Sequence, residues 1–185
     1  MAIRRVVTGY DDHGRSALIS DGATPRTVAF QSIPGHALAQ VWITSPSPVI
    51  SASGVDPTEG QIDLLPPPGG TSLLIVTFPP DRTMSAPGFD PVAAGQECLA
   101  HMPDLARTFE PDCPGMHRTD TVDYAIVLSG EVWLEVDGGQ ETLLRPTDVV
   151  VQQGTRHAWR NKTDMPATVA FFMIGACREN GEAAP

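Results

Sequence analysis

Two polar clusters between Gly115 and Asn161 hold the residues best suited to chemistry. The first is Gly115-Met116-His117-Arg118-Thr119-Asp120-Thr121-Val122-Asp123-Tyr124, and the second is Gly154-Thr155-Arg156-His157-Ala158-Trp159-Arg160-Asn161. His117, His157 and Asp123, brought together from separate strands, make up the donor set of a 2-His-1-carboxylate metal site. The same residues serve acid–base chemistry equally well, since an imidazole near a carboxylate titrates close to neutral pH. Catalytic and metal roles therefore fall on the same residues, His117, Asp123 and His157. Thr119, two residues from His117, faces the same way on an extended strand, as Trp159 does relative to His157. Thr119 and Trp159 are thus candidate substrate contacts, the first by its hydroxyl and the second as an aromatic wall. Tyr124 and Trp133 are further candidates for the mouth of the site. Arg118 and Asp120 alternate with the inward set and are expected to face solvent. Arg156 and Arg160 should pair with acidic strand residues on the opposite face.

The elements that must position these residues are short strands. Val122–Leu128 and Glu131–Val136 are separated by Ser129-Gly130, and Asp137-Gly138-Gly139 is a hairpin turn. Strand patterns recur at 142–144, 149–152, 157–160 and 167–174, the spacing of an antiparallel barrel or jelly roll. Upstream, residues 4–8 and 17–20 form a hairpin, and 37–45 and 72–78 are further strands. Residues 46–71, with Pro-Ser-Pro and Pro-Pro-Pro-Gly-Gly, form an irregular connection. The one helical pattern runs from about Pro91 to Phe109, interrupted by Gly95 and Pro103. No internal repeat is evident, so a single all-β barrel is expected.

Composition narrows the function classes. The 185 residues carry 17 Gly, 18 Pro and a formal charge of −10. That acidity argues against nucleic acid and anionic membrane as partners. No apolar run of about 18 residues exists to span a bilayer, and the N-terminus lacks the apolar core of a signal peptide. Cys98, Cys113 and Cys177 are odd in number and widely spaced, which favours a reducing, cytoplasmic setting over a disulfide framework.

The C-terminal half resembles the cupin superfamily, whose members fold as small double-stranded β-helix (jelly-roll) barrels. Its first motif, G-x5-H-x-H-x(3,4)-E-x6-G, meets His117, Thr119, Asp123 and Gly130 in this chain. Thr119 replaces the second histidine, Asp123 replaces the glutamate, and Pro111 stands six residues before His117. The second motif, G-x5-P-x-G-x2-H-x3-N, meets Gly154, His157 and Asn161, with Pro146 and Gln152 in the earlier positions. The resemblance covers about residues 112–175. It implies a barrel core over 111–178, N-terminal strands with a loop and a helical lid over 1–110, and a disordered tail over 179–185. It also implies a divalent metal (Fe, Mn, Ni or Zn) held by His117, Asp123 and His157, or else a metal-free pocket centred on the two histidines. A homodimer is the implied assembly. The expected function is an enzyme acting on a small carbonyl or phenolic metabolite, of the isomerase, dehydratase/lyase or decarboxylase type. A metal-dependent dioxygenase and a non-catalytic metabolite-binding barrel are the alternatives.

Overall fold

The computed structural model describes residues 2–50, 55–60 and 63–179. The strands expected around Val122 and Ala167 follow the alternation of their side chains. In β6 (Thr121–Ser129) Thr121, Asp123, Ala125 and Val127 are buried, while Tyr124 is exposed. A two-residue period sends one set to the core and the other to solvent. Eleven strands are present among the described residues: β1 (Arg4–Tyr10), β2 (Ser16–Ala23), β3 (Arg26–Ala29), β4 (Ala37–Thr44), β5 (Thr71–Phe78), β6, β7 (Val132–Val136), β8 (Glu141–Leu144), β9 (Val149–Gln153), β10 (His157–Arg160) and β11 (Ala167–Gly175).

These strands pair antiparallel throughout. A six-stranded sheet runs β3-β4-β5-β11-β6-β9, a three-stranded sheet runs β10-β7-β8, and β1 and β2 form a separate hairpin. The fold is mostly β, a jelly-roll-like sandwich with Leu74, Val76, Val127, Val132, Val169 and Phe171 in its core. Strands β3, β4 and β5, from the N-terminal half, are thus part of the same large sheet as the motif-bearing β6 and β11. The β1–β2 hairpin is tied to the body by Arg5. Its guanidinium donates to Val41 O at 3.1 Å, pairs with Asp56 and lies 5.4 Å over the Trp42 ring. Among the described residues no helix is long and apolar enough to cross a membrane.

Two tight points fix the barrel's ends. Gly130, between β6 and β7, has φ +73°, and a Cβ there would stand 2.6 Å from Pro166 O, so only glycine fits. At Gly175 a Cβ would meet Pro67 O at 2.0 Å, because Gly69 N–H donates to Gly175 O and Gly175 N–H donates to Gly70 O.

The helical pattern after Pro91 is divided in two, α1 (Pro91–His101) and α2 (Pro103–Ala106). Asp90 starts α1 by accepting from Val92 N–H and Ala93 N–H at 2.9 and 3.0 Å, with Pro91 at the first helical position. Pro103 has no N–H to continue the ladder, and Met102 leaves helical φ/ψ. Two carboxylates pin the helices to neighbouring loops. Glu97 accepts from Gln31 N–H and Ser32 N–H, both at 2.7 Å. Asp104 accepts from Leu64 N–H and Leu65 N–H at 2.7 and 2.6 Å.

Part of the irregular connection over 46–71, namely 51–54 and 61–62, lies outside the described residues, as does the tail beyond 179.

Candidate functional site

His117 and His157 meet through the backbone before their side chains meet. His117 N–H donates to His157 O and His157 N–H donates to His117 O, both at 2.9 Å. That narrow antiparallel bridge brings the two imidazoles together, tilted at 47° with centroids 4.3 Å apart. Each Nδ1 lies against the carbonyl two residues upstream: His117 on Gly115 O at 3.1 Å, His157 on Thr155 O at 2.9 Å. A carbonyl only accepts, so each Nδ1 carries the proton and each Nε2 keeps its lone pair. Burial lowers the pKa of both rings. His157, 2% exposed, falls to about 3, from burial first and the neighbouring His117 second. Both are therefore neutral at pH 7, a pair of hydrogen-bond acceptors.

A loop holds this pair in register. Arg156 makes a two-pronged bond to Glu110, Nε to Oε1 and Nη2 to Oε2 at 2.6 Å each, and reaches Asp137 at 2.7 Å. Arg160 donates to Glu135 at 2.7 Å and to Pro114 O at 2.6 Å. These bonds clamp residues 110–114 beside β10, so that Phe109 packs on His117 at 4.9 Å. Arg118 is half-buried and Asp120 is exposed, where it pairs with Arg178 at 2.7 Å.

Both histidines line a cavity of about 260 Å³ between the two sheets, together with Thr119, Asp123 and Trp159. Its walls are mostly apolar: Leu74, Val76 and Phe78 from β5, Phe171 and Met173 from β11, Cys98, Met102 and Leu105 from the helices. Such a chamber, apolar with a few convergent polar groups, is the usual form of a small-ligand site. Asp123 is 4% exposed, and burial pushes its carboxyl up to about 6, opposed by the Thr121 hydroxyl. Its Oδ1 has no partner, and neither has Nε2 of Gln152, which faces it across the β6–β9 ladder. The Thr119 hydroxyl is bonded to that of Thr121 at 2.8 Å.

The donor types fit a divalent ion, but their placement does not. Among the described residues no three His, Cys, Asp or Glu side chains gather as a metal-holding group. His117 and His157 are together, but Asp123 sits on β6 across from Gln152 and does not complete a triad with them. Cys113, four residues before His117, is absent from the cavity wall.

Two expected substrate contacts point elsewhere. Tyr124 is 44% exposed because it alternates with Asp123 on β6, so it faces solvent on the outer surface of the large sheet. Trp133 is likewise outside the cavity. Trp159 pairs with Leu134 in the β10–β7 ladder, which places the adjacent Trp133 on the other face, against Lys162 at 5.9 Å. Asn161 is structural, donating to Phe78 O and Met165 O and accepting from Thr163. His36 had no visible partner in the sequence, yet it lines the cavity and its Nδ1 bonds Thr77 O at 3.0 Å. No local signal marks it, since Thr77, Phe30 and Phe78, its neighbours, are remote in sequence or lie across a turn.

No family model matches the chain. It is similar over 66 residues, 52% identical, to Oryzines biosynthesis cluster protein J of Aspergillus oryzae, covering 35% of this chain and 37% of that one. Over 48 residues it is 50% identical to Phomopsin biosynthesis cluster protein C' of Diaporthe leptostromiformis, covering 26% of this chain and 25% of that one. Over 62 residues it is 34% identical to the cupin-domain-containing oxidoreductase fogC of Aspergillus ruber, covering 32% of this chain and 30% of that one. The matched stretch thus spans about a third or less of each of these relatives. Among solved structures, a Cupin 2 conserved barrel domain protein from Salinispora arenicola aligns at TM-score 0.41 and 13% identity over 80% of this chain and 87% of that one. The jelly-roll-like sandwich and the stretch shared with cupin-domain-containing oxidoreductases are the features this chain has in common with cupins.

Proposed function

We propose that the barrel is a small-molecule enzyme in which the His117–His157 pair moves a proton on a phenolic or carbonyl metabolite. The observation that carries this reading is the pair itself: two neutral imidazoles in ring contact, each with Nδ1–H anchored on a carbonyl, in an apolar chamber that also holds a buried carboxyl. An Nε2 lone pair takes the proton of a phenolic or enolic O–H, or of a C–H next to a carbonyl. The oxygen that gains charge accepts from the Thr119 hydroxyl or from the neutral form of Asp123. Return of the same proton to a different atom gives an isomer, and its return to a leaving hydroxyl gives loss of water. Trp159 and Phe78 form the flat wall on which the substrate lies.

A second reading is an oxidoreductase with a divalent ion on His117, His157 and Asp123. Two observations favour it: the orphaned Asp123 Oδ1, and the similarity to cupin-domain-containing oxidoreductases such as fogC of Aspergillus ruber. It requires Asp123 to approach the pair, and metal analysis after reconstitution with Fe(II), Mn(II), Ni(II) and Zn(II) tests it. Stoichiometric metal, lost in Asp123→Ala and His157→Ala, would establish that reading over the first.

The enzyme reading itself is tested by His157→Ala across a panel of enolisable ketones and phenols, with solvent deuterium incorporation as the readout. Incorporation catalysed by the parent and abolished by the variant is expected. Binding without any exchange in the parent would make the barrel a metabolite-binding module instead.

A further inference from the structure

His36 lines the same chamber and repeats the arrangement seen at His117 and His157. Its Nδ1 lies 3.0 Å from Thr77 O, so Nδ1 is the donor and Nε2 keeps its lone pair as an acceptor. Burial lowers its pKa and keeps the ring neutral. Phe30 packs on it at 4.6 Å and Phe78 at 6.1 Å. Phe78 and Trp159 follow at 26° to one another with centroids 6.5 Å apart, and Trp159 meets His157 edge-on at 6.1 Å. The cavity thus has two acceptor poles on its wall, the His117–His157 pair and His36, linked by a run of aromatic contacts through Phe78 and Trp159.

We propose that His36 is a second ligand-binding residue, and that the ligand is a flat aromatic compound with a hydroxyl donor at each end, one for each pole. This rests on the reading of the His117–His157 pair as the reactive pole and adds the requirement at the far end. An acceptor that a bound ligand shuts off from water and leaves without a donor costs free energy, so the site discriminates against ligands that lack the second hydroxyl.

The test is binding, so it does not depend on turnover. The probes are hydroquinone and para,para-biphenol, which differ in length, and the monomethyl ether of each. Affinity is read by quenching of tryptophan fluorescence and by calorimetry. In the parent protein at least one diol is expected to bind about tenfold more tightly than its monoether, the value of one neutral hydrogen bond. His36→Asn keeps a donor for Thr77 O but removes Nε2, and His36→Phe fills the site with an apolar ring. Both are expected to bring the ratio to about one, with monoether affinity held within about twofold in His36→Asn. Thermal melts establish that the variants are folded, and either folded variant suffices.

A ratio that survives in His36→Asn or His36→Phe would overturn the proposal. So would a ratio of one in the parent, or failure of all four compounds to bind. His157→Gln separates the two readings. If the ratio collapses in the His36 variants but survives in His157→Gln, then His36 is a pole while the histidine pair is not the other, and it is the proposed function that fails.

Discussion

Replacing Asp123 by asparagine should stabilise the protein at neutral pH and slightly destabilise it in acid. The carboxyl is 4% exposed, and burial raises it from 3.8 to about 6. In the unfolded chain it titrates near its ordinary value. Between those two values the folded protein holds the proton more tightly than the unfolded chain, so stability falls as pH rises from about 4 to about 6. Above about 6 the loss is complete, and two pH units at about 1.4 kcal/mol each make it about 3 kcal/mol. Asp123→Asn removes that loss but adds an amide N–H₂ that needs partners, so a net gain of about 1–2 kcal/mol is expected at about pH 7.5. For a chain of this size that is roughly 3–8 °C in Tm. Urea titrations of parent and variant at about pH 7.5 and about pH 4 measure it; at the lower pH little but the cost of the amide remains, so the variant should be about 1 kcal/mol less stable than the parent there. An equal effect at both pH values would refute the reasoning. A variant less stable than the parent only at neutral pH would also refute it, and would indicate that the ionised carboxylate has a strong partner there, as in the metal reading.

Other consequences can be checked alongside. Cys98 faces the cavity and burial raises its thiol to about 11, whereas Cys177 is exposed. Iodoacetamide at about pH 8 should alkylate Cys177 and spare Cys98, as mass spectrometry of tryptic peptides will show. Arg156→Met removes the two-pronged bond to Glu110, so hydrogen exchange over 110–117 should quicken while β6 and β11 keep their protection. For the homodimer implied by the family resemblance, we propose the outer row of Phe172, Tyr124 and Val151, cross-strand neighbours that are 42%, 44% and 57% exposed, as the face that is covered. Light scattering after size exclusion should report a dimer for the parent and a monomer for Phe172→Glu.

Much of the barrel was legible because its strands announce themselves by alternation and by turns such as Asp137-Gly138-Gly139. β3 escaped notice because Arg26-Thr-Val-Ala is only four residues between Pro25 and Phe30, too short to show a period. The association of His117 with His157 could be anticipated from the motif spacing, and Thr119 and Trp159 followed by parity. Parity also held the signal that excludes Tyr124, one residue from the inward Asp123. Trp133 could be excluded only with the β10–β7 register in hand. His36 was out of reach, because its position depends on a carbonyl of β5 and on the packing of Phe30 and Phe78 around it. Asp123 shows the opposite limit. Its inward direction was readable, but its separation from the histidine pair depends on which strands become neighbours.

Proton transfer by the histidine pair depends most directly on the state of its two imidazoles. Nitrogen-15 NMR of histidine-labelled protein should show His117 and His157 neutral at about pH 7, both as Nδ1–H tautomers with an unprotonated Nε2, assigned by loss of signals in His117→Gln and His157→Gln. An imidazolium in the pair at that pH, or an Nε2–H tautomer at either position, would contradict it.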